Sequence, residues 1–178
     1  MSIKGGRRHQ ILYKADARLI DVGDRGIKWN PPSFTLNGKE IPEEDYVEIH
    51  DDILTRFHDY FNWIETYNPD GPKEFNRGFN YWGQTAIRDE NLVKFSKLID
   101  SLTSLFENAP ENIVLTGNYY WSSSSDDEVE SDPEALIVTE GYAKIEVKKD
   151  QLLKIFGDLK NLTDRAIKNK GYLLHCGI

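Results

Sequence analysis

A chain of 178 residues with 39% hydrophobic content can bury one sizeable core, so residues 1–178 are read as a single domain. Thirty acidic residues against twenty-two basic ones leave a net charge of −8, which opposes general affinity for nucleic acid or an anionic membrane surface and favours a basic protein partner. The single cysteine, Cys176, excludes an internal disulfide and a multi-cysteine metal site.

The opening "MSIKGGRRHQ" lacks the apolar run of a secretory signal, and apolar stretches such as "ALIV" are far shorter than the roughly 20 residues a bilayer requires. A soluble cytosolic chain is the expectation. The first forty residues hold short β-type pieces at "QILYKA", "RLIDV" and "FTLNGKEI", the last shaped as a hairpin around Asn37-Gly38.

From Pro42 onward Tyr46, His50, Ile53, Phe57, Phe61, Ile64 and Tyr67 recur at helical spacing, which predicts one long helix ended by "NPDGP" at 68–72. Glu43, Glu44 and Asp45 would occupy its first turn, favoured there by the helix dipole. A strand follows around Tyr81 to Ile87. Asp89 then caps a second helix, with Leu92, Phe95, Leu98, Ile99, Leu102 and Phe106 on its buried face, ending before Pro110.

"NIVLTGNYYW" reads as a strand, and "EALIV" and "YAKIEVK" as a hairpin turning at Thr139-Glu140-Gly141. A third helix is capped by Asp150 and closed by Lys168, Lys170 and Gly171, and close packing is expected at its internal Gly157. "YLLHCGI" completes the chain as a buried strand. This order predicts an α+β fold, a mostly antiparallel sheet packed against about three amphipathic helices.

No phosphate-binding glycine loop and no nucleophile elbow is present, and Ser122 to Ser125 lack a glycine framework or a neighbouring histidine. His50 and His58 on the long helix stand about 12 Å apart along its axis, too far for one ion, and read as margins of the apolar stripe. His175 and Cys176, adjacent in a strand, point to opposite faces and cannot act as base and thiolate; Cys176 reads as a small buried hydrophobe. The aromatic pieces "YWG" at 81–83 and "YYW" at 119–121 have the look of base-stacking platforms. Without flanking cations near the second, core packing or a protein-binding anchor is the better reading.

Two acidic features stand out. Glu43, Glu44, Asp45, Glu48, Asp51, Asp52, Asp59 and Glu65 face only Arg56 along the expected long helix, and Asp126, Asp127, Glu128, Glu130, Asp132 and Glu134 face no cation at all. Mutual repulsion predicts a flexible acidic loop over about 122–134, either a solvated connection or a clasp for Lys and Arg side chains in a nuclease cleft. Tyr119, Tyr120, Trp121, Asp126, Asp127, Glu128, Glu130 and Asp132 form the candidate partner-binding set.

The stretch "FNYWGQTAIRDENLVKFSKLIDSLTSLFENAPENIVLTGNY", with "GYAKIEV" and the terminal "GYLLHCGI", resembles small immunity proteins of bacterial polymorphic-toxin and contact-dependent growth inhibition systems. The resemblance covers residues 79 to 178 and carries no residue-level binding site. It implies a cytosolic, catalytically inactive protein without a cofactor, which binds a cognate toxin domain and blocks its active site. Many such toxins are nucleases with basic clefts. Two alternatives remain beside it: a small enzyme working through a carboxylate pair, and a structural or adaptor module.

Overall fold

The computed structural model describes residues 8–15, 27–30, 33–36, 39–68, 75–123 and 138–177. The expected α+β architecture is present: among these residues an antiparallel six-stranded sheet carries three helices. The strands of that sheet are β1 (Arg8–Lys14), β5 (Tyr46–His50), β6 (Glu65–Tyr67), β7 (Phe75–Arg77), β8 (Gln84–Arg88) and β11 (Tyr172–Cys176). Their order is β5-β1-β11-β8-β6-β7, which brings the two ends of the described chain together as neighbours at its centre. Strands β2 (Ile27–Asn30), β3 (Ser33–Leu36) and β4 (Lys39–Ile41) form a separate meander, and β9 (Asn112–Ser123) pairs with β10 (Val138–Lys148) as a long ribbon.

Alternation along β1, β11 and β8 sorts side chains onto two apolar faces. Ile11, Leu173 and Ile87 face the helices, whereas Leu12, Leu174 and Ala86 face the other side with Tyr67, Tyr172 and Cys176. The helices α1 (Asp51–Phe61), α2 (Glu90–Glu107) and α3 (Lys149–Lys168) lay Phe57, Phe61, Leu92, Phe95, Leu152, Phe156 and Leu159 onto the first face. Phe57 is the hub, its ring edge-on to Phe106 at 5.6 Å and to Phe156 at 5.4 Å. On the outer rim of the α2–α3 contact, Lys160 reaches Asp164 at 2.6 Å and Asp100 at 3.7 Å, and the Ser96 hydroxyl donates to Asp164.

The long helix expected from Pro42 is divided. A single 3-10 turn (Glu43–Asp45) leads into β5, and α1 starts only at Asp51. The cause is a second periodicity under the first: Val47 and Ile49 alternate inward and are buried, and Tyr46 to His50 pair along β1. His50, extended at φ −62° and ψ 138°, accepts a hydrogen bond from the Asp52 amide at 3.2 Å and so serves as the cap of α1. Past Phe61 the chain turns into β6.

Other expectations also shift. Residues 139–141 continue within β10 and pair with Trp121, Tyr120 and their neighbours on β9, so they form no turn. Neither Asp89 nor Asp150 makes a side-chain cap: Asp89 sits at φ 53° without one, and α3 begins at Lys149 with Asp150 already inside. Gly157 is exposed, and a Cβ there would meet nothing within 4 Å, so close packing does not account for it. At the end of α3 the left-handed residue is Lys170 (φ 52°), while Gly171 passes so close to the Lys14 carbonyl that no Cβ fits. The β3–β4 pairing brackets residues 37–38 as the hairpin reading requires. "RLIDV" lies outside the described residues.

Candidate functional site

Four polar side chains from four separate segments meet where the helix-facing core ends. His9 of β1 and His175 of β11 share the helix-facing side of neighbouring strands, 0% exposed, with rings stacked at 5.1 Å and 16°. The His9 Nδ1 and His175 Nε2 atoms are 3.0 Å apart. The start of α1 arrives over this point, because β5 ends beside the start of β1, and places an Asp51 oxygen 3.1 Å from His9 Nε2. The other Asp51 oxygen accepts the Tyr81 hydroxyl at 2.9 Å.

These contacts assign the ring protons. A carboxylate only accepts, so His9 Nε2 carries the hydrogen it gives to Asp51. A neutral His9 then has a bare Nδ1, which accepts from His175 Nε2–H. That leaves the His175 Nδ1 lone pair buried without a hydrogen-bond partner among the described residues. The electrostatics agree. Burial lowers the pKa of His9, with its hydrogen bond to Asp51 and the Asp51 charge acting in the opposite sense. Burial lowers that of His175 well below the usual value, and the neighbouring His9 adds to the effect.

The enclosure is aromatic. Phe79 lies against the His175 ring at 4.6 Å, and Tyr81 stands edge-on to His9 at 5.5 Å. The segment holding both rings is fastened through the Asn80 amide to Thr85 Oγ1 at 2.8 Å and through the Gly83 carbonyl to the Gly177 amide at 2.7 Å. It includes Trp82, a residue that is 63% exposed and whose ring meets Tyr81 edge-on at 5.1 Å. The two imidazoles therefore touch no solvent, and among the described residues Asp51 and Tyr81 link them to the surface, with the exposed Trp82 against the Tyr81 ring.

A groove of about 560 Å³ runs between the turn before β5 and α3, lined by Glu43, Glu44, Tyr46, Lys154, Asp158 and Arg165 among others. Its two basic side chains are already paired, Lys154 with Asp158 at 2.5 Å and Arg165 with Asp45. Among the described residues no group of three or more His, Cys, Asp or Glu side chains is arranged to hold a metal ion.

Of the residues expected at a partner site, Tyr119, Tyr120 and Trp121 lie on β9, where the backbone alone is described. Asp126, Asp127, Glu128, Glu130 and Asp132 lie outside the described residues. The acids assigned to one uncompensated helix face are distributed differently: Asp45 pairs with Arg165, and Glu48 with Arg8 at 3.2 Å. The expectation that His175 and Cys176 point apart holds, since Cys176 belongs to the opposite apolar cluster. His9 is not among the residues the sequence singles out. Nothing local marks it, because its partner is 166 positions away. "YWG" at 81–83 was the legible trace of the site. No protein-family model matches this chain, and no curated protein or solved structure matches it either.

Proposed function

We propose that this chain is a non-enzymatic inhibitor of the immunity type, which occludes a basic partner protein, a toxin domain with a nucleic-acid-cleaving cleft being the favoured target. The observation that carries the reading is the surface at Trp82. Trp82 is exposed and meets the ring of Tyr81, whose hydroxyl is hydrogen-bonded to Asp51 in the acidic first turn of α1 (Asp51, Asp52). Interface hot spots combine such a rigid aromatic anchor with charge complementarity, and acids at its edge steer a cationic partner. A net charge of −8 adds to that steering. The acidic run Asp126, Asp127, Glu128, Glu130 and Asp132, with Tyr119, Tyr120 and Trp121, joins the proposal on charge and composition.

The test is co-expression with the variable C-terminal toxin domain of a large secreted protein encoded beside this gene, followed by kinetics with the purified pair. Protection of the cells and a tight complex are expected. Trp82→Ala should raise the dissociation rate at least tenfold, the loss of one central anchor. Neutralising Asp126, Asp127, Glu128 and Glu130 together should slow association and flatten its salt dependence. Absence of both protection and binding would overturn the reading. The rival, a carboxylate-dependent enzyme, would instead show the purified chain turning over a substrate unaided.

A further inference from the structure

We propose that the His9–His175 pair is an acid-sensitive clasp that sets the position of the Trp82 segment. The segment rests on both imidazoles directly, Phe79 against His175 at 4.6 Å and Tyr81 against His9 at 5.5 Å. A change in the rings therefore reaches Trp82 through one residue, Tyr81, whose ring meets the Trp82 ring at 5.1 Å.

The hydrogen-bond chain makes protonation disruptive in every arrangement. A proton added to His9 Nδ1 meets the His175 Nε2–H, so two donors face each other across 3.0 Å. Moving the His175 hydrogen to Nδ1 relieves that opposition. It also leaves a buried N–H without an acceptor among the described residues, and an unsatisfied buried donor is destabilising. A second proton places two cations in contact inside the core. The neutral pair is thus the only well-bonded state, and acid converts it to one that gains by opening to water.

Among the described residues the polar groups facing the rings are Asp51 from α1, Tyr81 from the 78–83 segment and each ring for the other. Beta-strand 8 contributes the neutral Thr85, and α2 and α3 turn apolar residues toward the sheet. Arg8, Glu48 and Cys176 belong to the opposite face by register. Asp51 thus supplies the carboxylate, and its charge favours protonation of His9. That charge defines the direction of the key control. Any effect on partner affinity rests on the inhibitor reading above; the clasp itself does not.

The experiment needs no partner, so its failure and that of the inhibitor reading are distinguishable. Nitrogen-15 NMR of the wild-type imidazoles at neutral pH should show both His9 and His175 protonated at Nε2. In a Trp29→Phe, Trp63→Phe, Trp121→Phe background, Trp82 alone reports its surroundings by emission while far-UV circular dichroism follows the helices. On acidification below about pH 6.5, Trp82 emission should change before helix signal is lost. Asp51→Asn should move that change to lower pH. An Nδ1–H tautomer at His175, coincident emission and dichroism transitions, or an alkaline shift in Asp51→Asn would each overturn the clasp. If the triple tryptophan background does not fold, the wild-type tautomers and their titration decide alone.

Discussion

The guanidinium of Arg165 lies 4.4 Å from the centre of the Tyr13 ring while pairing with Asp45, so one side chain joins the end of α3 to β1 and to the turn before β5. Planar stacking and a directed ion pair use two properties that lysine lacks. Arg165→Lys should therefore lower stability by about 1 kcal/mol despite conserving charge, and Arg165→Ala by more. For a chain of this size the lysine variant would melt about 2–4 °C lower, measurable by calorimetry. An unchanged midpoint in Arg165→Lys would assign the contact no role beyond charge.

Gly157 in α3 is exposed, and a Cβ would meet nothing within 4 Å. Gly157→Ala should accordingly stabilise the protein by about 1 kcal/mol, the helix-propensity difference between the two residues. Urea denaturation reads this as a higher midpoint with the same slope.

Gly171 behaves in the opposite way. A Cβ there would overlap the Lys14 carbonyl, which belongs to β1 and cannot move without disturbing its pairing with β11. Gly171→Ala should cost more than about 1 kcal/mol, with the same measurement showing a lower midpoint. The two glycines of one helix and its exit thus respond with opposite signs. Helical periodicity treats them alike; only the distance to a strand separated by most of the chain tells them apart.

Stability should fall in mild acid. Both His9 and His175 have pKa values lowered in the folded state, so the unfolded chain binds protons that the folded one refuses. The contribution is fully present above the unfolded value of about 6.5 and is lost as pH falls from there toward the lowered folded values. Unfolding free energies measured at pH 7.5 and 5.5 should differ in favour of the former, about neutral pH being the optimum. Tyr81→Phe, which leaves both imidazoles in place, should retain this slope, whereas His175→Gln should reduce it.

The α+β class, the strand character of β1, β8, β9 and β11, and the buried face of α2 from Leu92 to Leu102 are legible in the chain, because alternation and helical periodicity are local consequences of which face is buried. Residues 42–50 carry a misleading pattern for the same reason. Tyr46, His50 and Ile53 keep helical spacing with α1, but Val47 and Ile49 keep strand spacing with β1, and local pattern alone does not rank the two. The choice is made by hydrogen bonding to β1, a partner decided by topology.

Composition and period thus determined that this chain folds around an aromatic-rich core under a net negative surface and that its terminal strand is buried. They could not determine that β11 lies beside β1, and every property of the His9–His175 pair follows from that adjacency. Burial, tautomer and proton affinity are pairwise quantities. They exist only once the sheet order has brought two distant imidazoles to hydrogen-bonding distance and the start of α1 has set a carboxylate beside them.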